Sequence, residues 1–131
     1  MGKSIKLDLK PAWVRAQRGL VQIAVANLLD NALRFAPAGS QVEIVTQTIG
    51  GKATLAIIDA GPGIAAALLS NVFEAGVKSR ATEGGYGLGL TTVREVAHKH
   101  GGQITLENRT PAAGLEATLS LPAIYADFRK T

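Results

Sequence analysis

No cysteine occurs among the 131 residues, which removes a disulfide framework and any thiolate metal site, and fits a reducing compartment. Aromatic residues make up 5% of the chain and charged residues 18%. The formal charge is +4, but Lys and Arg are scattered and stacking side chains are few, so no nucleic-acid partner is expected. The charge is read as a mild attraction for phosphate. No apolar run approaches the roughly twenty residues that span a bilayer, so no membrane insertion is expected and the chain should be soluble. Met1-Gly2-Lys3-Ser4 looks like an appended start rather than a signal peptide. Against these absences stands an apolar content of 47%, too high for a disordered chain. The length suits one core, and residues 1–131 are read as a single domain.

Periodicity divides the chain. Ile5, Leu7 and Leu9 alternate with Lys6, Asp8 and Lys10, the pattern of a strand with one buried face, ended by Pro11. From about Gly19 the period changes: Val21, Val25, Leu28 and Ala32 form the apolar stripe of a helix running to about Phe35. Ala36-Pro37-Ala38-Gly39-Ser40 breaks it. Two strands, 42–49 and 52–59, flank the two-residue turn Gly50-Gly51. Ile64 to Phe73 carries a short helical pattern, and Glu74 to Gly85 reads as a loop. A helix from Tyr86 to His100 stops at Gly101-Gly102, with His98, Lys99 and His100 against its negative end. Strands 103–108 and 115–121 close the chain around Thr110-Pro111-Ala112-Ala113-Gly114. The expected fold is an α/β (α+β) sandwich, a mixed and mainly antiparallel sheet with about three helices on one face.

Three stretches carry chemistry. Gly84-Gly85-Tyr86-Gly87-Leu88-Gly89-Leu90 puts four glycines at the mouth of a helix, where close backbone approach and unpaired N–H groups favour an anion; a lone glycine-rich loop is equally often only a loop. Asn27, Asn31 and Arg34 stand at i, i+4 and i+7 on one helix face, with Asp30 beside them. Solvated faces more often use Lys and Glu, whereas amide oxygens suit Mg²⁺ and Arg suits phosphate. Asp59-Ala60-Gly61-Pro62-Gly63 follows the apolar run Leu55 to Ile58. It is either an ordinary turn or a carboxylate at a pocket mouth, able to accept from an exocyclic amino group such as that of adenine.

In that order, NLLDNALRF, DAGPGI and GGYGLGL resemble the catalytic and ATP-binding domain of bacterial two-component sensor histidine kinases. These kinases belong to the wider superfamily of gyrase, heat-shock chaperone, histidine kinase and mismatch-repair ATPases. The resemblance covers nearly the whole chain. It implies the Bergerat fold, with ATP between the asparagine helix and the glycine-rich segments under a lid. It makes Asn31 the Mg²⁺ ligand, sets Asn27 on the same wall, places Arg34 where such kinases often have Lys, and packs Phe35 beside the nucleotide. Asp59 would read the adenine amino group, Gly61, Gly63 and Ile64 would shape the base pocket, and Gly85, Tyr86, Gly87, Leu88 and Gly89 would admit the phosphates. Val72-Phe73-Glu74 resembles the family's phenylalanine box, and Lys78 or Arg80 would reach the terminal phosphate. Tyr86 departs from the usual small residue, and Leu115-Glu116 from a Thr pair near adenine.

Superfamily members that hydrolyse ATP usually carry Glu where this chain has Asn27, and an amide has no useful basicity toward water. The resemblance therefore implies phosphoryl transfer to a histidine on the dimerisation helices of the parent protein, in a phosphorelay ending on a response regulator. His98 and His100, the only histidines, lack a following acidic residue and are read as structural. The parent is expected to be membrane-anchored, with this domain on the cytoplasmic side. An anti-sigma-factor type serine kinase and a non-catalytic nucleotide-binding module are the other readings.

Overall fold

The computed structural model describes residues 2–63, 86–110 and 112–124. Strand β1 (Ser4–Leu9) leads through a short connection to helix α1 (Arg18–Phe35). No side chain caps the start of α1; the main-chain N–H of Gln17 donates instead to Nε2 of His100, 3.1 Å away. Ala24, Leu28 and Ala32 are buried along the helix, with Val21 and Val25 packed at the margin of the core. The buried stripe thus runs from Ala24 through Leu28 to Ala32. Pro37 disfavours the helical region for Ala36, whose ψ of 137° ends the helix.

Strands β2 (Gln41–Ile49) and β3 (Lys52–Ile58) form the expected hairpin. Gly50 and Gly51 have φ of 55° and 80°, the pair of positive values that a two-residue turn matching strand twist requires. Helix α2 (Tyr86–Lys99) buries Leu90, Val93, Val96 and Ala97. It ends where Gly101, at φ 76°, lets Gly102 N–H reach the Ala97 carbonyl at 2.8 Å. Strands β4 (Gln103–Asn108) and β5 (Leu115–Pro122) complete a five-stranded sheet ordered β1-β2-β3-β5-β4. Among the described strands only the β1–β2 pair is parallel, across the crossover that holds α1.

The two described helices pack on each other and on β3, β4 and β5, closing the core between one sheet face and the helix layer. This is the expected mixed α/β sandwich. The expected third helix, Ile64 to Phe73, lies outside the described residues, as does the Glu74 to Gly85 loop.

One expectation is corrected. β1 forms as read, but its apolar face is not buried: Ile5, Leu7 and Leu9 are 45%, 59% and 58% exposed. Register sets them beside Val42, Ile44 and Thr46, hence on the helix side of the sheet. β1 is an edge strand, and α1 and α2 pack over the β3, β5 and β4 part of the sheet. Alternation marks which face is apolar; whether another element covers it depends on strand order.

Candidate functional site

α1 turns Asn27 and Asn31 toward the first turn of α2. The Asn27 Nδ2 donates to the Gly89 carbonyl at 3.4 Å, and a β-carbon at Gly89 would lie 3.7 Å from Asn31 Nδ2. Two motifs 62 residues apart are therefore in contact. Gly87 and Gly89 lie within the first turns of α2 rather than in a preceding loop, where unpaired N–H groups and the helix dipole favour an anion.

Asn31 is 6% exposed, and its Nδ2 finds no hydrogen-bond partner among the described residues. A buried amide left open in this way is uncommon. Turning the amide over presents its oxygen at the open position, a neutral acceptor suited to Mg²⁺. No group of three or more His, Cys, Asp or Glu side chains that could hold a metal exists among the described residues. A buried amide at this position fits a cation that takes one protein oxygen and draws its other ligands from phosphate and water.

Arg34 pairs with Asp30, Nη2 to Oδ2 at 2.8 Å, with both side chains about half exposed. The pair lies one turn along α1 from Asn31. Phe35 packs against the core, and its carbonyl faces the loop after β3: a β-carbon at Gly61 would lie 2.6 Å from it. Glycine at 61 is thus a packing requirement.

Asp59 follows β3 and is 3% exposed. Its Oδ1 accepts from Gly61 N–H at 2.7 Å, its own N–H donates to the Leu115 carbonyl at 3.0 Å, and its carbonyl accepts from Arg109 Nη1 at 3.0 Å. Burial pushes the carboxyl above the ordinary aspartate range; hydrogen bonds from the Gly61 and Leu115 main chain and the Arg109 charge pull the other way without cancelling it. At Gly63, with φ 76°, a β-carbon would collide with Asn108 Oδ1.

Asn31 and Asp59 line one small cavity of about 10 Å³, together with Leu28, Ile57, Leu90 and Leu115, room for about one water. The asparagine helix, the aspartate loop and the glycine helix thus meet at one place. Larger grooves among the described residues, about 270 Å³ between the β2–β3 and α2–β4 turns and about 600 Å³ beside the start of α1, hold none of the motif residues. Ile64, Lys78, Arg80, Gly85 and the Val72-Phe73-Glu74 segment lie outside the described residues, and of Tyr86 and Leu88 only the backbone is described.

Arg109 was not singled out by the sequence. It sits in a turn without periodicity, and its partner is a main-chain carbonyl 50 residues away. Leu115, noted above only as a departure, is buried and fixes Asp59 through its carbonyl. His100 is structural: its Nε2 accepts from Gln17, so the proton is on Nδ1, which donates to the Val96 carbonyl at 2.8 Å.

Residues 16–124 match the family described as histidine kinase-, DNA gyrase B-, and HSP90-like ATPase. The chain is 41% identical over 125 residues to the sensor-like histidine kinase SenX3 of Mycolicibacterium smegmatis, covering 91% of this chain and 32% of that protein. It is 39% identical over 117 residues to the sensor protein kinase PmrB of Pseudomonas aeruginosa, covering 88% and 23%. The chain thus spans about a third or less of the length of these relatives. Among solved structures, the mycobacterial sensor histidine kinase MprB superposes with a TM-score of 0.83 at 34% identity, over 92% of this chain and 82% of that one. Full-length ShkA in complex with AMPPNP gives 0.80 at 26% identity, over 95% and 26%. The chain belongs to the histidine kinase-, DNA gyrase B- and HSP90-like ATPase family, and in fold and sequence it resembles the catalytic, ATP-binding domain of sensor histidine kinases.

Proposed function

We propose that this chain, folding as a single domain, binds ATP with Mg²⁺ and donates the terminal phosphoryl group to a histidine on a separate dimerisation domain of its parent protein. Asp59 accepts from the adenine amino group, Gly61 and Gly63 shape the base pocket by letting the Phe35 carbonyl and Asn108 pack close to the Asp59 loop, and the α2 N-terminus with Gly87 and Gly89 receives the phosphates. Mg²⁺, when bound, would neutralise charge on the terminal phosphates and hold them in line for transfer. Asn31 offers it one oxygen, and Arg34 stands a turn away as a cation that can exchange Asp30 for phosphate. The downstream acceptor is a response regulator, and the parent is read as membrane-anchored with this domain on the cytoplasmic side; no described helix is long and apolar enough to cross a membrane.

The observation that carries this reading is the meeting of Asn31 and Asp59 on one cavity beside the start of α2. Transfer rather than hydrolysis follows from Asn27. Its amide donates to the Gly89 carbonyl and cannot take a proton from water. A calorimetric titration with ATP·Mg²⁺, following the baseline after each injection, tests both parts. Saturable heat followed by a flat baseline is the expected result. A sustained exothermic drift would mean turnover of water and remove the argument from Asn27. Absence of binding in this and a second assay would remove the nucleotide site.

A further inference from the structure

The turn between β4 and β5 does more than join two strands. Arg109 N–H donates to the Gly114 carbonyl at 2.9 Å, closing the turn, and its Nη1 crosses to the Asp59 carbonyl at 3.0 Å, with a longer contact to the Ala113 carbonyl at 3.4 Å. Gly114 has φ 135°, and a β-carbon there would collide with the Asp59 carbonyl and crowd Arg109 Cδ. Asn108 presses against Gly63, and Leu115 receives the Asp59 N–H. The loop that carries Asp59 is therefore held on its main chain by the turn, while its carboxylate takes hydrogen bonds from the main chain of Gly61 and Leu115. The Arg109 guanidinium donates to the Asp59 carbonyl, and a cationic donor gives a stronger bond than a neutral one.

We propose that Arg109 is a positioning residue for base recognition: by bonding the Asp59 carbonyl it fixes the direction in which the Asp59 carboxylate faces the base, and so sets the preference for a 6-aminopurine. The proposal rests on the reading of Asp59 as the acceptor for the adenine amino group. In this role Arg109 acts through Asp59, whose carbonyl it bonds. Its position also keeps a positive charge beside a buried carboxylate, which favours the ionised form that accepts and does not donate.

Two contributions of Arg109 must be separated, closure of its own turn and orientation of Asp59. Dissociation constants for ATP and for purine riboside triphosphate, the same nucleotide without the 6-amino group, do this when measured on the parent chain, R109M, R109K and D59N. The parent is expected to prefer ATP, and D59N to lose that preference. R109M should lose most of it, on the order of tenfold, while its affinity for the analogue stays within about twofold. R109K, which keeps the charge and one donor, should fall between. Equal weakening of both nucleotides in R109M would show a scaffold role only and overturn the proposal, as would an undiminished preference. If R109M gives no cooperative melt, R109K decides alone: an undiminished preference overturns the proposal, and a reduced one with unchanged analogue affinity supports it. If the parent or D59N shows the wrong behaviour, the adenine reading fails and takes the proposal with it. That result differs from one in which D59N responds and Arg109 variants do not, which removes Arg109 alone.

Discussion

The two walls of the small cavity differ in how completely the protein satisfies its own polar groups. On the Asp59 side both main-chain groups of the aspartate are bonded, N–H to Leu115 and carbonyl to Arg109, and a carboxylate oxygen accepts from Gly61. On the Asn31 side the amide Nδ2 has no partner among the described residues, Asn27 makes one long bond of 3.4 Å, and Arg34 holds Asp30 at the surface. A wall built in advance suits a rigid, uncharged base, whose recognition depends on fixed direction. A wall left open suits a metal and phosphates, which bring strong donors and acceptors of their own and complete the bonding on arrival. On the proposed function, the base end is therefore a matter of folding, and the phosphate end a matter of binding.

The largest expected effect comes from breaking the built wall. Gly114→Ala puts a β-carbon into the Asp59 carbonyl at a φ that side chains rarely adopt. It should cost on the order of 1–3 kcal/mol and lower the melting temperature by roughly 4–12 °C, with ATP affinity falling in parallel. Gly89→Ala sharpens the contrast, because its β-carbon would meet Asn31 and Asn27 at ordinary van der Waals distance. That variant should melt within a few degrees of the parent. Equal melting temperatures for Gly114→Ala and the parent would show that the turn does not hold the base loop.

A smaller change in folding, but a larger split between folding and binding, is expected at the open wall. Asn31→Ala removes a buried nitrogen that bonds nothing described, so stability should move by no more than about 1 kcal/mol. Nucleotide affinity in the presence of Mg²⁺ should nonetheless fall about 10–100-fold, while affinity measured in excess chelator changes little. Titrations with and without chelator check this. A uniform loss under both conditions would make Asn31 a packing residue rather than a metal ligand.

These contrasts explain what could and could not be read from the sequence. The bounds of α1, the β2–β3 hairpin and the end of α2 were legible because Pro37, Gly50-Gly51 and Gly101-Gly102 punctuate clear periods. The two asparagines were legible because an i, i+4 pair shares a helix face. Asp59 was legible as a candidate because a charged residue closes an apolar strand. The exposure of Ile5, Leu7 and Leu9 was not, since it follows from β1 standing at the sheet edge, beyond the helices. The Asp30–Arg34 pair was half legible: the i, i+4 spacing was visible, the ion pair itself was not. Arg109 and Leu115 were hidden for another reason. Both act on Asp59 through main-chain atoms, and only the register of β3 against β5 brings those atoms together.

The smallest expected effect is thermodynamic and tests whether the built wall is strained when empty. Burial raises the Asp59 carboxyl above its ordinary range, so the folded chain binds a proton that the unfolded chain has already released. The contribution of Asp59 to stability is then full below the ordinary aspartate value and is lost as pH rises through the raised one. Asp59→Asn cannot ionise and escapes this loss, although it also gives up the attraction of Arg109. Relative to the parent, it should therefore become steadily more stable as pH climbs from the ordinary aspartate range, and level off once Asp59 is fully ionised. Melting curves of the two proteins without nucleotide, taken at a series of pH values, check the sign. An adenine amino group donating to the carboxylate would favour the ionised form, so saturating ATP should narrow the gap. If the difference runs the other way, with the parent gaining on the variant as pH rises, the Arg109 charge and the main-chain hydrogen bonds outweigh burial. The carboxylate would then be as fully satisfied as the main chain around it, and the aspartate wall would hold no reserve for the base.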